Sequence, residues 1–443
     1  MSKTRMAAAV AAAVTASLTI AACSSSGAST VGTSSSSSAS GGGGAGTGGK
    51  VTLTWWNNAT SQPLLGIWQT AIKQFEAAHP NVTIQNVPHQ NEFFKTGVPI
   101  ALKSNNPPDI YQQWGGGAEA TQVQSGKLTN LTQDVSSWIG EVGKAAAGWQ
   151  VNGQQYGVPY DQHVVGFWYR TDLFAKAGIT SNPTTIPQLE ADDAKLKAHG
   201  IAPIGLGGQA QWPDAFWWEY FAVRECSASV IQQAMTGSNL SAPCFSQATK
   251  DLAAFLATSP FEAGFNGVAA QSSPTSSAGL LANGKVAMEL QGDWEPGELL
   301  SDTTDKNIDS KLGWFPFPAV PGGQGDPTAV LGGGDGWSCT TGAAEPACAQ
   351  FLEFLDSTPV QTMLVTQADI GIPANAAAES AITSSAVKAA AAAHDNAAYV
   401  AGYFDQALPT NPGLALDAAI ANYFAGKGGN SDIINSVSAN SGH

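Results

Sequence analysis

Arginine is almost missing from this 443-residue chain: Arg5, Arg170 and Arg224 are the only three. Bidentate recognition of carboxylate or phosphate usually falls to Arg, so an obligately anionic ligand is disfavoured, although backbone amides at a helix start could still hold one. Charge as a whole is sparse at 12%, and its balance is acidic, with a formal net charge of −15. Neutralising nucleic-acid phosphates takes a basic face, so nucleic acid is excluded as a partner. Histidine is scarce too: His79, His89, His163, His199, His394 and His443 include no close pair and no His-rich loop, which disfavours metal uptake. Neither a Gly-x-Ser-x-Gly nucleophile elbow nor a His-Glu-x-x-His zinc helix occurs. No apolar run is long enough to span a bilayer. Hydrophobic residues nevertheless make up 43%, enough for one or two globular units with sizeable cores, and the 13 Trp are a heavy load.

The apolar run from Met6 to Ala22 follows Lys3 and Arg5 and has the length of a signal-peptide core. It ends Leu18-Thr-Ile-Ala-Ala-Cys23, small residues directly before a cysteine. This resembles the lipobox of bacterial lipoproteins, which implies a signal peptide over 1–22 and a lipidated Cys23 at the mature N-terminus. From Ser24 to Gly49, 19 of 26 residues are Ser or Gly, without an aromatic or a charge. Such a segment buries too little apolar area to offset its ordering entropy, so 23–49 is read as lipid anchor and flexible leash. The expected location is the extracellular face of the bacterial cell membrane, held by lipid alone. In that oxidising compartment Cys226, Cys244, Cys339 and Cys348 form an even set. Proximity favours the pairs Cys226–Cys244 and Cys339–Cys348, with the other pairings left open. The spacings are not those of a zinc knuckle.

From Lys50 onward strands alternate with helices. Val51–Trp56 is a strand by its alternation. Leu64, Leu65, Ile67, Trp68, Ala71, Ile72 and Phe75 recur at helical spacing up to His79-Pro80. Val82–Val87 is a second strand, Phe93–Lys103 a second helix, and Asp109–Gln112 a third strand after Pro107-Pro108. Strands separated by helices give parallel, right-handed βαβ units with ligands at the carboxyl ends of the strands. Those ends carry Trp56-Asn57-Asn58 and Gln112-Gln113-Trp114.

The chain resembles the extracellular solute-binding proteins of carbohydrate ABC importers, the family of maltose-binding protein, from Lys50 to its end. The segments that carry the resemblance are Val51–Trp56, Pro107-Pro-Asp-Ile110, Leu128–Thr132, Tyr156–Asp161, Phe167–Phe174, Lys176–Gly178, Gly284–Trp294 and Gly371-Ile-Pro-Ala374. It implies an α/β protein of two lobes, the type II periplasmic-binding-protein fold with crossing hinge strands, which closes over sugar and delivers it to a membrane permease. Lobe one would be about 50–160 plus 325–368 and lobe two about 165–318 plus 372–443, with hinges near 159–165, 318–324 and 368–373. No cofactor or metal is expected, and the receptor would act as a monomer.

A sugar offers hydroxyls around its rim and a C–H patch on each face, so its site needs aromatic plates and fixed carboxylates or amides. The chain repeats that pairing. Trp56 precedes Asn57 and Asn58, Gln113 precedes Trp114, and Tyr160 precedes Asp161. Trp212 stands beside Asp214, Asp293 precedes Trp294, and Asp335 follows the Gly332-Gly-Gly334 run, where backbone can approach a ligand. With Glu92, which opens the second helix, these residues are the candidate ligand contacts. Trp55, Trp68, Trp138, Trp149, Trp168 and Trp314 read as packing, and at most one of the adjacent Trp217 and Trp218 can face a cleft. Glycoside hydrolases use the same ingredients, and acids such as Asp161, Asp293, Glu295, Glu298 and Asp335 could be nominated as a catalytic pair. The resembled family binds without chemistry, so a non-enzymatic receptor is expected. The first ligand expected is a xylobiose-type xylo-oligosaccharide, then malto- or raffinose-type sugars, with a peptide receptor further off.

Overall fold

Residues 49–442 are described by the computed structural model; the signal segment, Cys23 and all but the end of the leash lie outside them. Strand Val51–Asn57 turns Leu53, Trp55 and Asn57 to one buried face. It pairs in parallel with Val82–Pro88 and with Ile110–Gln113, and the helix Leu64–Ala78 between the first two buries Ile67, Trp68, Ala71, Ile72 and Phe75 along one stripe. The second helix runs Asn91–Leu102, two residues earlier than its apolar spacing suggested, because Glu92 supplies an acidic first turn. Gly336–Cys339 and then Gly157–Pro159 extend this sheet antiparallel. Its core is a tryptophan nest: Trp55 meets Trp68, Trp337 and Phe351 edge-on, with centroids 5.0–5.3 Å apart. All six tryptophans assigned to packing are buried, and so are both Trp217 and Trp218.

A second sheet orders Leu312–Phe315, Gly166–Arg170, Val286–Gln291 and Ala202–Gly205. Between the two lies a four-stranded sheet of Ile372–Pro373, Asp161–Val164, Val330–Gly333 and Val400–Gly402. The chain therefore crosses from first sheet to second through 159–166, returns through 330–336, and leaves again through 369–373. The Pro- and Gly-rich run 318–324, where a return crossing was expected, instead lies along the helix Trp212–Glu225. There the buried Arg224 guanidinium donates to the carbonyls of Phe317, Pro318 and Ala329.

Asp293 pins the crossings together. Its Oδ1 accepts from Val164 N at 3.2 Å and faces His163 Nδ1 at 2.9 Å, and its Oδ2 accepts from Ile372 N at 2.8 Å. Gly371, at φ +89°, leaves room for this: a Cβ there would lie 2.1 Å from Asp293 Oδ2. Disulfides join Cys226 to Cys244 and Cys339 to Cys348. Among the described residues no helix is long and apolar enough to cross a membrane.

Two stability consequences follow from these buried charges. Asp293→Ala strands two backbone donors and the His163 ring, and a urea titration should show a loss of about 3 kcal/mol or more. Burial also raises the carboxyls of Glu119, Asp193 and Asp214 to about 8. A raised native value means that the folded state holds more protons than the unfolded one between about pH 4 and 8, so stability is lost as pH climbs through that window. Calorimetry should give a higher melting temperature at pH 5 than at pH 8.

Candidate ligand-binding cleft

The crossing strands form the floor of a cavity of about 140 Å3. Alternation along Asp161–Val164 turns Asp161 and His163 into it and Gln162 away. Asp335, at the bend between two strands, donates its backbone N to Asp161 Oδ1 at 2.5 Å and accepts from the Tyr160 hydroxyl at 3.1 Å. His163 Nε2 lies 3.1 Å from Asp161 and 3.9 Å from Asp335. Burial alone would lower the His163 pKa, but Asp161 and Asp293 beside it raise it well above the ordinary value. Those two carboxylates therefore favour the protonated ring. Asp161, His163 and Asp335 have the donor types of a divalent-cation site, with ligand atoms within 4.8 Å of one another. Both ring nitrogens of His163 already face carboxylates, Nδ1 on Asp293 and Nε2 on Asp161, so the trio is part of a side-chain cluster that continues into the crossings.

One wall is aromatic. The helix Trp212–Glu225 places Trp212 and Phe216 one turn apart on one face. Trp294 stands 6.2 Å from Trp212, and Phe216 stacks on Tyr403 at 5.3 Å. The opposite wall brings Trp114, Asn58 and Asn91, the two amides joined at 3.3 Å. Three buried polar atoms on lining residues have no protein partner: Asn58 Oδ1, Glu298 Oε2 and the Tyr403 hydroxyl. Burial, then Asp302, raises the Glu298 carboxyl to about 7.

Of the residues singled out from sequence, Asn58, Trp114, Tyr160 and Asp161 line the cavity, as do Trp212, Trp294 and Asp335. Tyr160 does so through its hydroxyl, because its ring face is stacked on Trp337 at 4.8 Å. The other five are held off the lining. Trp56 packs edge-on against His89 and Phe93. Asn57 is wholly buried, bonded to Asn86 and to Ala59 N. Gln113 is spent on Gln122 and on Trp114 N. Glu92 accepts from Trp212 Nε1 at 3.4 Å, and Asp293 is taken up by the backbone of Val164 and Ile372. Lys95, Phe216, Gln271, Ser272, Tyr403, Asp405 and Gln406 were missed as lining residues. Tyr403-Phe-Asp405-Gln406 repeats the aromatic-plus-polar pairing used elsewhere, so the signal was present, but the strand before it is only three residues long.

Comparison with known proteins places these features. The family model of the bacterial extracellular solute-binding proteins matches residues 58–362. An uncharacterized ABC transporter extracellular-binding protein of Pyrococcus horikoshii is 26% identical over 257 residues, 56% of each chain, so the chain spans little more than half of that relative. An sn-glycerol-3-phosphate-binding periplasmic protein of Brucella abortus is 22% identical over 333 residues, 70% of this chain and 72% of that one. A structure from work on xylan utilization by the thermophilic bacterium Caldanaerobius polysaccharolyticus superposes with a TM-score of 0.80 at 24% identity, covering 88% of this chain and 100% of that one. A chitin oligosaccharide binding protein does so at 0.79 and 21%, covering 88% and 98%. These neighbours have the two-lobe type II fold, and their family is one of receptors rather than enzymes. The chain belongs to the bacterial extracellular solute-binding protein family.

Proposed function

We propose that the protein is the sugar receptor of an ABC importer, which captures a short neutral oligosaccharide between two lobes and presents it to the permease. The observation that carries this reading is the disposition of charge and aromatic surface in the cavity. An aromatic wall of Trp212, Phe216 and Trp294 faces carboxylates and amides, while both cations on the lining are committed. Lys95 is paired with Asp405 and Asp417, and His163 sits among Asp161, Asp293 and Asp335. A phosphate or carboxylate ligand would find no uncommitted cation among the described lining residues. That disfavours a ligand like glycerol phosphate despite the Brucella relative, and it suits hydroxyl-rimmed rings.

One lobe is read as about 50–160 with 336–368 and the other as 165–330 with 372–442, which moves the return crossing from the expected 318–324 to 330–336. The ligand makes contacts to both lobes that only a closed form allows, so binding shifts the population toward closure. A xylobiose-type xylo-oligosaccharide is the first candidate, in keeping with the xylan-related neighbour. Malto- and raffinose-type sugars come next, and other structural neighbours were solved with maltose and raffinose. The mature protein is a monomer tethered outside the cell through lipid on Cys23.

Thermal-shift screening against mono- to tetrasaccharides tests the ligand class. A sugar at a hundred times its Kd adds about 2.7 kcal/mol, a shift of several degrees. Trp212→Ala should weaken the binding of the responding sugar by roughly tenfold. A panel in which no sugar shifts the protein overturns the reading. The anchor is tested separately: Cys23→Ala should move the protein from the membrane fraction to the medium, and retention of the variant on membranes would count against the lipid.

A further inference from the structure

Lys95 stands on the helix Asn91–Leu102, whose buried Phe94 and Val98 pack with Tyr111 of the first sheet. Its ammonium reaches out of that body to Asp405 at 2.8 Å and Asp417 at 2.7 Å. Both acids belong to the opposite body. They are carried by the helices Phe404–Ala407 and Thr410–Phe424, whose Phe404, Leu416 and Ile420 are buried in one core with Trp218. The Lys95 side chain is 15% exposed, that of Asp405 10% and that of Asp417 3%. The ion triplet therefore spans the cleft in a place from which most water is excluded.

The acidic side of the triplet is crowded. Glu219, buried behind it, is raised well above the ordinary carboxylate range by burial and by Asp405 and Asp417. Burial raises Asp417 itself to about 7, although Lys95 pulls it back. Closing the cleft on these acids without a cation would bury uncompensated charge, and Lys95 is the cation that the facing body supplies. Lys95 and Asp405 also line both the cavity floored by the crossing strands and a smaller pocket of about 30 Å3 beside it. The pair is thus a partition across that end of the cleft.

We propose that Lys95, Asp405 and Asp417 form a closure latch between the two lobes: the ion triplet forms only in the closed receptor and sets how readily it closes, with or without sugar. The proposal rests on the two-lobe receptor reading and not on the identity of the sugar. Removing one partner of a buried ion pair leaves a stranded charge, whereas replacing every partner by a neutral group of similar shape is close to neutral. The latch therefore predicts loss and rescue.

Small-angle scattering of the ligand-free, full-length protein reads the closure. Lys95→Met should increase the radius of gyration, and the triple variant Lys95→Met, Asp405→Asn, Asp417→Asn should return it toward the wild-type value. With xylobiose as the probe, Lys95→Met should weaken binding on the order of tenfold or more, with partial recovery in the triple variant. Wild-type values for Lys95→Met in both measurements, or a triple variant as open as the single one, would overturn the latch. If wild-type protein ignores xylobiose, the choice of sugar fails, and the ligand-free scattering still decides the latch. If Lys95→Met does not fold, Asp405→Asn with Asp417→Asn leaves Lys95 unpaired and should open the receptor in the same way; an unchanged radius in that variant overturns the proposal.

Discussion

An imidazole bracketed by carboxylates where three chain crossings meet is the constraint on which the rest of this molecule depends. His163 is held between Asp293 at one ring nitrogen and Asp161 at the other, with Asp335 close by. Asp293 in turn accepts from the backbone of two crossing segments, at Val164 and Ile372. One ring thus links the acid that fastens the crossings to the acids that face the cavity. Such a cluster is costly unless every member is paired. Because it is paired, the carboxylates on the cleft floor are fixed in direction before any ligand arrives, which lowers the ordering cost of binding.

The scarcity of positive charge has a structural meaning that composition alone did not reveal. Both arginines among the described residues are anchors for backbone. Arg170 donates to the carbonyl of Ala282 and pairs with Asp172, while Arg224 ties Phe317, Pro318 and Ala329 to its helix. Lys95 crosses the cleft to two acids. Glu119, Asp193 and Asp214 are buried without an ion pair among the described residues, and burial shifts their carboxyls towards the protonated form. The cavity has a polar lining on which both cationic side chains already face carboxylates.

Much of the fold was legible because it rests on local rules. The alternation of Val51–Asn57, the helical spacing of Ile67, Trp68, Ala71, Ile72 and Phe75, and the short loops between cysteine pairs are all properties of neighbouring residues. The return crossing was not legible. Pro- and Gly-rich composition marks a turn-rich segment but not which body it lies against, and Arg224, about a hundred residues away, decides that 318–324 stays with its helix. The candidate contacts divide in the same way. Asp161 and Asp335 could be picked out because each stands beside an aromatic at a strand end. Phe216 reaches the cavity from inside a helix with no polar neighbour to mark it, and the aromatic-plus-polar run at Tyr403 follows a strand of only three residues. Asn57 and Gln113 had the right neighbours, yet strand alternation turns them into the sheet, where they bond to Asn86 and Gln122.

Glycine and tryptophan show why such a site is hard to read one residue at a time. Gly332-Gly-Gly334 suggests a backbone bared for a ligand, but its neighbours are protein. A Cβ on Gly332 would lie 2.1 Å from the His163 carbonyl, and one on Gly334 would lie 2.5 Å from that of Asp161. The glycines let crossing strands approach closely enough to set His163 and Asp161 in their cluster, so their contribution to the cleft is indirect. Of the thirteen tryptophans, Trp114, Trp212 and Trp294 line the cavity. Trp55, Trp68 and Trp337 form instead the stiff nest on which the Tyr160 ring is seated. That seat aims the Tyr160 hydroxyl at Asp335. The indole-rich core and the cavity-facing carboxylates are therefore two ends of one arrangement, in which rigid packing below the floor holds polar groups in place above it.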